Sequence, residues 1–262
     1  MLKIGIIAGS GLYEMEGLTV KDTRHLQTPY GCPSAGYHLI EMDGLEIVFL
    51  PRHGSVHRIS PHTLNYRANI FGFKDLGVEQ VISINAVGGI NPELDPGLFI
   101  LPDQVIDLTS GRDASFYNGP EVVHIDFTDP YCPEMRSILQ TSTKKTEISI
   151  KPAGTYVCTN GPRLESRAEI RMFAGMGADV VGMTGMPEAA LARELEICFV
   201  SICIVTNFAA GVGGAGLTTS EVVGTMNASM SELKRLLKAA FPVLASRKRS
   251  CKCGEALKDA SM

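Results

Sequence analysis

Seven short apolar runs, at residues 4–8, 45–50, 81–86, 98–106, 154–158, 180–183 and 197–205, are separated by amphipathic stretches, and this alternation limits the possible folds more than any other feature. The runs read as core strands, apolar enough to be covered on both sides. Between them, 64–73, 134–140, 165–176 and 187–195 have helical spacing. Strand and helix in turn imply an α/β fold, with a mixed central sheet flanked by helices. A chain of 262 residues suits one core, so we read a single domain over 1–245 followed by a polar C-terminal tail, 246–262.

The last helix has the plainest start. Thr218-Thr-Ser-Glu221 offers a capping box, and Val222, Met226, Met230, Leu233, Leu237 and Leu244 keep an apolar stripe, from which we predict a helix from about 219 to 241, stopped by Pro242. Residues 110–133 have no period and contain Gly111, Gly119, Pro120 and Pro130; a loop of that length in a compact domain is usually functional.

Charge excludes some partners. With 24 Lys and Arg against 28 Asp and Glu, the net charge of −4 has the wrong sign for nucleic-acid binding. The uncharged stretch 197–220 loses its apolar density after Val205 and is read as a buried strand entering a loop, not a membrane span. The amino terminus lacks a signal-peptide pattern, and seven scattered cysteines do not make a disulfide framework; a cytoplasmic protein with reduced thiols is expected. Cys251-Lys-Cys253 in the tail is left open between a strained ring, a soft-metal site and no role.

Ligands of such sheets bind beyond the carboxyl ends of the strands. Gly9-Ser10-Gly11 follows the first run, but Glu14 stands where a dinucleotide fingerprint needs its third glycine, and Ala8 and Leu12 where a nucleophile elbow needs glycines. Exposed amides and a hydroxyl suited to an anion remain, beside the plain alternative of a turn. Arg52-His53 ends the second run, where a guanidinium can grip phosphate in bidentate fashion. His53 and His57 are four apart, yet Pro51, Gly54 and Pro61 oppose the helix that a zinc pair would need, and His57 and His62 are read as structural. Glu165 and Asn207 end two further runs; an amide that donates and accepts can read a heterocycle, while Glu165 could equally start a helix.

Together these segments resemble the trimeric purine nucleoside phosphorylase and methylthioadenosine phosphorylase family. The likeness runs through Ile6-Ile-Ala-Gly-Ser-Gly11, Arg52-His-Gly54, Asn65-Tyr-Arg-Ala-Asn69, Asn85-Ala-Val-Gly-Gly89, Gly161-Pro-Arg-Leu-Glu-Ser-Arg-Ala-Glu169, Gly182-Met-Thr-Gly-Met-Pro-Glu188 and Thr206-Asn207. The resemblance implies a nucleoside phosphorylase-like fold and a pentosyltransferase that cleaves a purine nucleoside with inorganic phosphate as co-substrate, without cofactor or metal. By position in the motifs, Ser10, Arg52, His53, Asn85, Ala86 and Thr184 would hold phosphate. Leu164, Glu165, Met183, Asn207, Phe208, Ala209 and Thr219 would face the nucleoside, with Asn207 and His53 in catalytic roles. His124 resembles the residue that such enzymes send into a neighbouring subunit's site, which implies a homotrimer or hexamer.

Glu165 with Asn207 matches the 6-oxopurine branch of that family, so inosine, guanosine or methylthioinosine is the expected substrate. A methylthioadenosine phosphorylase and a catalytically silent nucleoside-binding homologue are the alternatives. On this reading Arg52→Ala should abolish the phosphate grip with little effect on stability.

Overall fold

A computed structural model describes residues 3–9, 19–42, 44–56, 58–213 and 218–261. The expected strands and helices form, arranged around one mixed sheet, in which eleven strands are paired among the described residues. Strands β1 (Ile4–Ala8), β4 (Leu45–Pro51), β5 (Gln80–Gly89) and β11 (Cys198–Phe208) make its parallel centre. A hairpin of β2 (Thr19–Arg24) and β3 (Tyr37–Met42) adds an antiparallel edge on β4. Beyond β5 lie β10 (Val180–Gly182), β9 (Thr155–Cys158) and β7 (Gln104–Asp107). The pair β6 (Phe99–Ile100) and β8 (Ile150–Lys151) extends from β11. The run at 98–106 is thus two strands, broken at Leu101-Pro102, because proline has no N–H to give a ladder.

Successive residues of a strand face opposite ways, and here both ways lead into core. Ile4, Ile6 and Ala8 of β1, with Ile47 and Phe49 of β4, pack under helices α2 (Pro133–Thr146) and α5 (Thr219–Ser246). Ile7, Val48 and Leu50 face the other layer, with α1 (Tyr66–Asp75) and α4 (Gly185–Glu194). The remaining α-helix, α3 (Arg167–Gly175), starts one residue after Ser166, whose hydroxyl accepts from the Glu169 N–H while the Glu169 carboxylate accepts from the Ser166 N–H. No described helix is long and apolar enough to cross a membrane.

One expectation at the C-terminus is corrected. Helix α5 passes through Pro242 to Ser246, because Leu244 and Ala245 continue the buried stripe, and that packing outweighs the one backbone bond a proline removes. The polar tail packs back on the body: Arg247 pairs with Glu134, the Ser250 N–H donates to Glu134 at 3.1 Å, and Cys253 is buried in a 3-10 turn at Lys252–Glu255. Its end bridges back at Val123 and Ser261, and the His124 N–H donates to the Ala260 carbonyl at 2.9 Å. The long loop is held on its other side by Arg112, which donates to the carbonyls of Thr159 and Asn160 at 3.2 and 3.0 Å.

Candidate active site

Strand β5 shares one whole edge with β11, from Gln80 to Gly89. Its other edge is taken by β1 as far as Ser83 and by β10 only from Gly88, so the stretch 84–87 between them has no strand partner. A cavity of about 680 Å³ opens at this gap. Ala86 is exposed there in the middle of an otherwise buried strand. The Ile84 carbonyl faces this edge, where it accepts from Arg52 Nη1 at 3.0 Å, and strand alternation turns the Ala86 amide the same way. Both residues line the cavity.

Arg52 stands at the end of β4, 2% exposed; it lines the cavity, and its fork also holds buried partners. Nε donates to Glu188 Oε1 at 2.6 Å and Nη2 to Oε2 at 3.1 Å, and Nη2 also reaches Ser83 Oγ and the Ile7 carbonyl. Its bidentate partner in the structure is Glu188, itself fully buried in α4. Burial works against the guanidinium charge; the Glu188 carboxylate outweighs it and holds the pKa of Arg52 above its ordinary value. This corrects the expectation that Arg52 is dispensable for stability. Glu188 had no role from the sequence, although an acid at one strand end and an arginine at another were a visible pair.

Ser83 carries the polar network onward. Its hydroxyl donates to Glu188 at 2.9 Å and accepts from Asn85 Nδ2 at 3.1 Å; Nδ2 also donates to Ser201 Oγ at 2.7 Å, and Asn85 Oδ1 accepts from Thr184 Oγ1 at 2.9 Å. Asn85 thus lies behind the cavity wall and orients Thr184, which lines the cavity, whereas Asn85 itself does not. The Tyr156 hydroxyl accepts from the N–H groups of Thr184 and Gly185 at 3.3 and 3.2 Å and seats the start of α4. A side chain on Gly185 would meet that ring at 2.0 Å, which is why glycine follows Thr184.

His53 lies beside Arg52, its Nδ1 2.8 Å from the Ile59 carbonyl, so Nδ1 carries the hydrogen. The Arg58 and Ile59 N–H groups both donate to the His53 carbonyl, shaping this wall. Ser10 and His57 lie outside the described residues. His62 is exposed on the turn at Pro61–Thr63, so it is not the structural histidine expected.

Across the cavity, the β5–β11 register shifts between Val205 and Asn207, an irregularity that re-aims the strand where Asn207 joins the lining. Asn207 Oδ1 accepts from Thr206 Oγ1 at 2.8 Å, and Nδ2 donates to the Phe208 carbonyl at 2.9 Å. The amide is fixed, with one N–H hydrogen left over. Glu165 Oε1 accepts from Thr159 Oγ1 at 2.8 Å, and Glu165, Leu164, Met183 and Ala209 all line the space. Gly161, at φ +63, lies so close to Met183 Sδ that a Cβ would come within 2.3 Å. Phe208 is corrected: it is not on the lining, and its ring packs against Gly213.

The remaining wall is α5. Val222, Val223, Met226 and Met230 line the cavity, three of them residues that the sequence placed in a core-facing stripe. The side chain of Thr219 lies outside the described residues. His124 is exposed and does not reach this cavity. Elsewhere, Cys132 and Cys198, read from the sequence as scattered singly, meet the tail pair Cys251 and Cys253, whose role was left open: the four sulfurs all lie within 4.8 Å of one another.

The sequence profile of the Phosphorylase superfamily matches residues 3–242. Among curated relatives, a probable S-methyl-5'-thioinosine phosphorylase of Thermodesulfovibrio yellowstonii is 46% identical over 99% of this chain and 97% of its own length. A 6-oxopurine nucleoside phosphorylase of Pyrococcus furiosus is 46% identical over 100% of both chains. Among solved structures, a methylthioadenosine phosphorylase from an antarctic soil metagenomic library superposes with a TM-score of 0.93 at 36% identity, covering 100% of this chain and 92% of the other.

Proposed function

The chain belongs to the Phosphorylase superfamily, and from that premise we propose that it cleaves a 6-oxopurine nucleoside with inorganic phosphate, releasing free purine and a sugar 1-phosphate. The observation that carries the reading is the pairing of Asn207 and Glu165 on one cavity with the Thr184, His53 and Ala86 edge. Phosphate held at that edge attacks C1′; an O–C1′ bond forms as the C1′–N9 bond breaks, and the electron pair of that bond passes into the purine. Phosphate close to the developing ribosyl cation supplies both the nucleophile and a stabilising negative charge. The remaining Asn207 N–H donates to N7 or O6, where the leaving electrons collect, and Glu165 accepts from N1–H. Arg52 acts as a positioning residue: through Glu188 and Ser83 it holds the network that aims Thr184.

The largely apolar face of α5 favours a methylthio group at the 5′ position, since Val222, Val223, Met226 and Met230 offer a hydroxyl no partner and, among the described residues of that helix on the lining, only Asn227 is polar. Methylthioinosine is therefore the preferred substrate, with methylthioadenosine the second reading. Incubation with inosine, guanosine, methylthioinosine and methylthioadenosine, with and without phosphate, tests this. Phosphate-dependent release of hypoxanthine should be fastest from methylthioinosine. Glu165→Ala should lower kcat/KM for 6-oxopurine nucleosides by about ten- to hundredfold, the usual cost of one desolvated polar contact, and for methylthioadenosine far less. Equal losses on both bases would remove Glu165 from base recognition.

On this reading His124 completes the site of a second copy, in a homotrimer or hexamer, and its exposure away from its own cavity supports that role. Exposed Val122 and Leu108 mark the same loop as a surface for burial. Sedimentation at assay concentration should find an oligomer, and a fully active monomer would refute this. The compartment proposed is the cytoplasm, where thiols stay reduced.

A further inference from the structure

The four gathered cysteines come from three distant parts of the chain. Cys132 caps the start of α2, with its N–H donating to the Phe199 carbonyl at 2.8 Å, which sets it beside Cys198, the first residue of β11. The segment after α5 returns along Glu134 and Glu196, and brings Cys251 and Cys253 onto the same spot. The Cys251 sulfur is 3.7 Å from that of Cys132 and 3.4 Å from that of Cys198, and all six separations are within 4.8 Å. A tetrahedron with metal–sulfur bonds of about 2.3 Å has sulfur–sulfur edges of about 3.8 Å. Three of the four residues are buried, and all four are free cysteines.

A second observation concerns the charge around them. Arg247, 7% exposed, has Nη2 buried without a nitrogen or oxygen partner, and Arg249 has Nε in the same condition. Sulfurs are their neighbours: Cys198, Cys132 and Cys251 for Arg247, and Cys198, Cys251 and Cys253 for Arg249. Neutral thiols are weak acceptors and give these two buried guanidinium nitrogens little reason to point there. Four thiolates around a divalent ion leave two net negative charges, which Arg249 and Arg247, the latter shared with Glu134, offset in the manner of the outer groups that tune metal–thiolate centres.

We propose that Cys132, Cys198, Cys251 and Cys253 form a structural zinc site that fastens the C-terminal segment to the body of the protein. Soft thiolate ligands in a closed tetrahedral set select zinc over hard cations, and with four protein sulfurs no position is open for catalysis. Binding forms four Zn–S bonds and releases the thiol protons to solvent, with no change of oxidation state. The centre is remote from the cavity, since Cys198 and Asn207 are nine steps apart on β11, about 30 Å at a strand's rise per residue. Its reach is through the tail, whose Ala260 carbonyl holds the His124 N–H and whose Ser261 bridges Val123. Zinc thus steadies the loop that carries His124.

The full chain, purified under reducing conditions without chelator, should contain one zinc per chain by elemental analysis. Apo protein titrated with Zn²⁺ should release protons at a one-to-one endpoint, and Co²⁺ in its place should give the intense visible absorption of a tetrahedral thiolate complex. A Cys251→Ser/Cys253→Ser variant should lose the metal and melt at lower temperature, whereas Cys32→Ser, whose exposed cysteine lies outside the cluster, should keep both. If the variant fails to fold, the Co²⁺ spectrum of the parent chain still decides. A chain that takes up neither metal, with four titratable thiols or with the cysteines joined in disulfides by intact mass, overturns the site. None of these readouts depends on the substrate.

Discussion

Arg52→Ala is expected to lose about 3–5 kcal/mol of folding stability in addition to its turnover, the range found when one partner of a buried ion pair is removed. The loss follows from what is left behind. Glu188 is fully buried, and without the guanidinium its carboxylate retains only the Ser83 hydroxyl, while the carbonyls of Ile7 and Ile84 lose a donor each. Urea unfolding measures the effect directly, as a lower midpoint at unchanged slope. Arg52→Met combined with Glu188→Leu separates stability from function, because replacing both charges by apolar groups of similar volume removes the unpaired charge. That double variant should recover most of the stability and none of the activity, since Ser83, Asn85 and Thr184 would still have lost the anchor of their network. Arg52→Ala within about 1 kcal/mol of the parent would mean that the pair does not hold the wall.

Strand-end chemistry was legible from the sequence because it is local. An apolar run followed by Arg52-His53 or by Thr206-Asn207 marks its own place in a parallel sheet, and the cavity does collect at those ends. Partnership across the chain was not. Arg52 and Glu188 are 136 residues apart, and whether a guanidinium meets a carboxylate or an anion from solvent depends on how α4 lies over β4 and β5. The same reason hid the cysteines: one caps a helix, one begins a strand and two follow the last helix, and only the return of the tail past Glu134 joins them. Helix α5 shows a limit of periodicity. A stripe of Val222, Met226 and Met230 looks alike whether it faces a core or an apolar cavity, and the N-terminal part of this one lines the cavity while Leu233, Leu237 and Leu244 are core. The register shift before Asn207 has no signature in Val205-Thr-Asn207 at all.

Asn207→Asp should shift base preference by about ten- to hundredfold toward 6-aminopurines, expressed as the ratio of kcat/KM for methylthioadenosine to that for methylthioinosine. In the parent protein, Thr206 Oγ1 pins Oδ1 and the Phe208 carbonyl accepts one N–H hydrogen, so what Asn207 offers a ligand is its other hydrogen, a donor. A 6-oxopurine accepts at O6 and N7. A 6-aminopurine presents hydrogens at position 6 and asks for an acceptor, which a carboxylate supplies and this amide, held in place by Thr206 and Phe208, does not. The exchange also sets a carboxylate oxygen 2.9 Å from the Phe208 carbonyl where a hydrogen bond had been, so turnover should fall on every substrate. Taking the ratio within one variant cancels that shared cost and isolates recognition of the base. Asn207→Ala, which removes donor and acceptor together, should slow methylthioinosine without raising methylthioadenosine. If Asn207→Asp leaves the ratio unchanged, the donor that reads O6 and N7 belongs to another residue; if the parent already prefers methylthioadenosine, the base assignment gives way to the second reading.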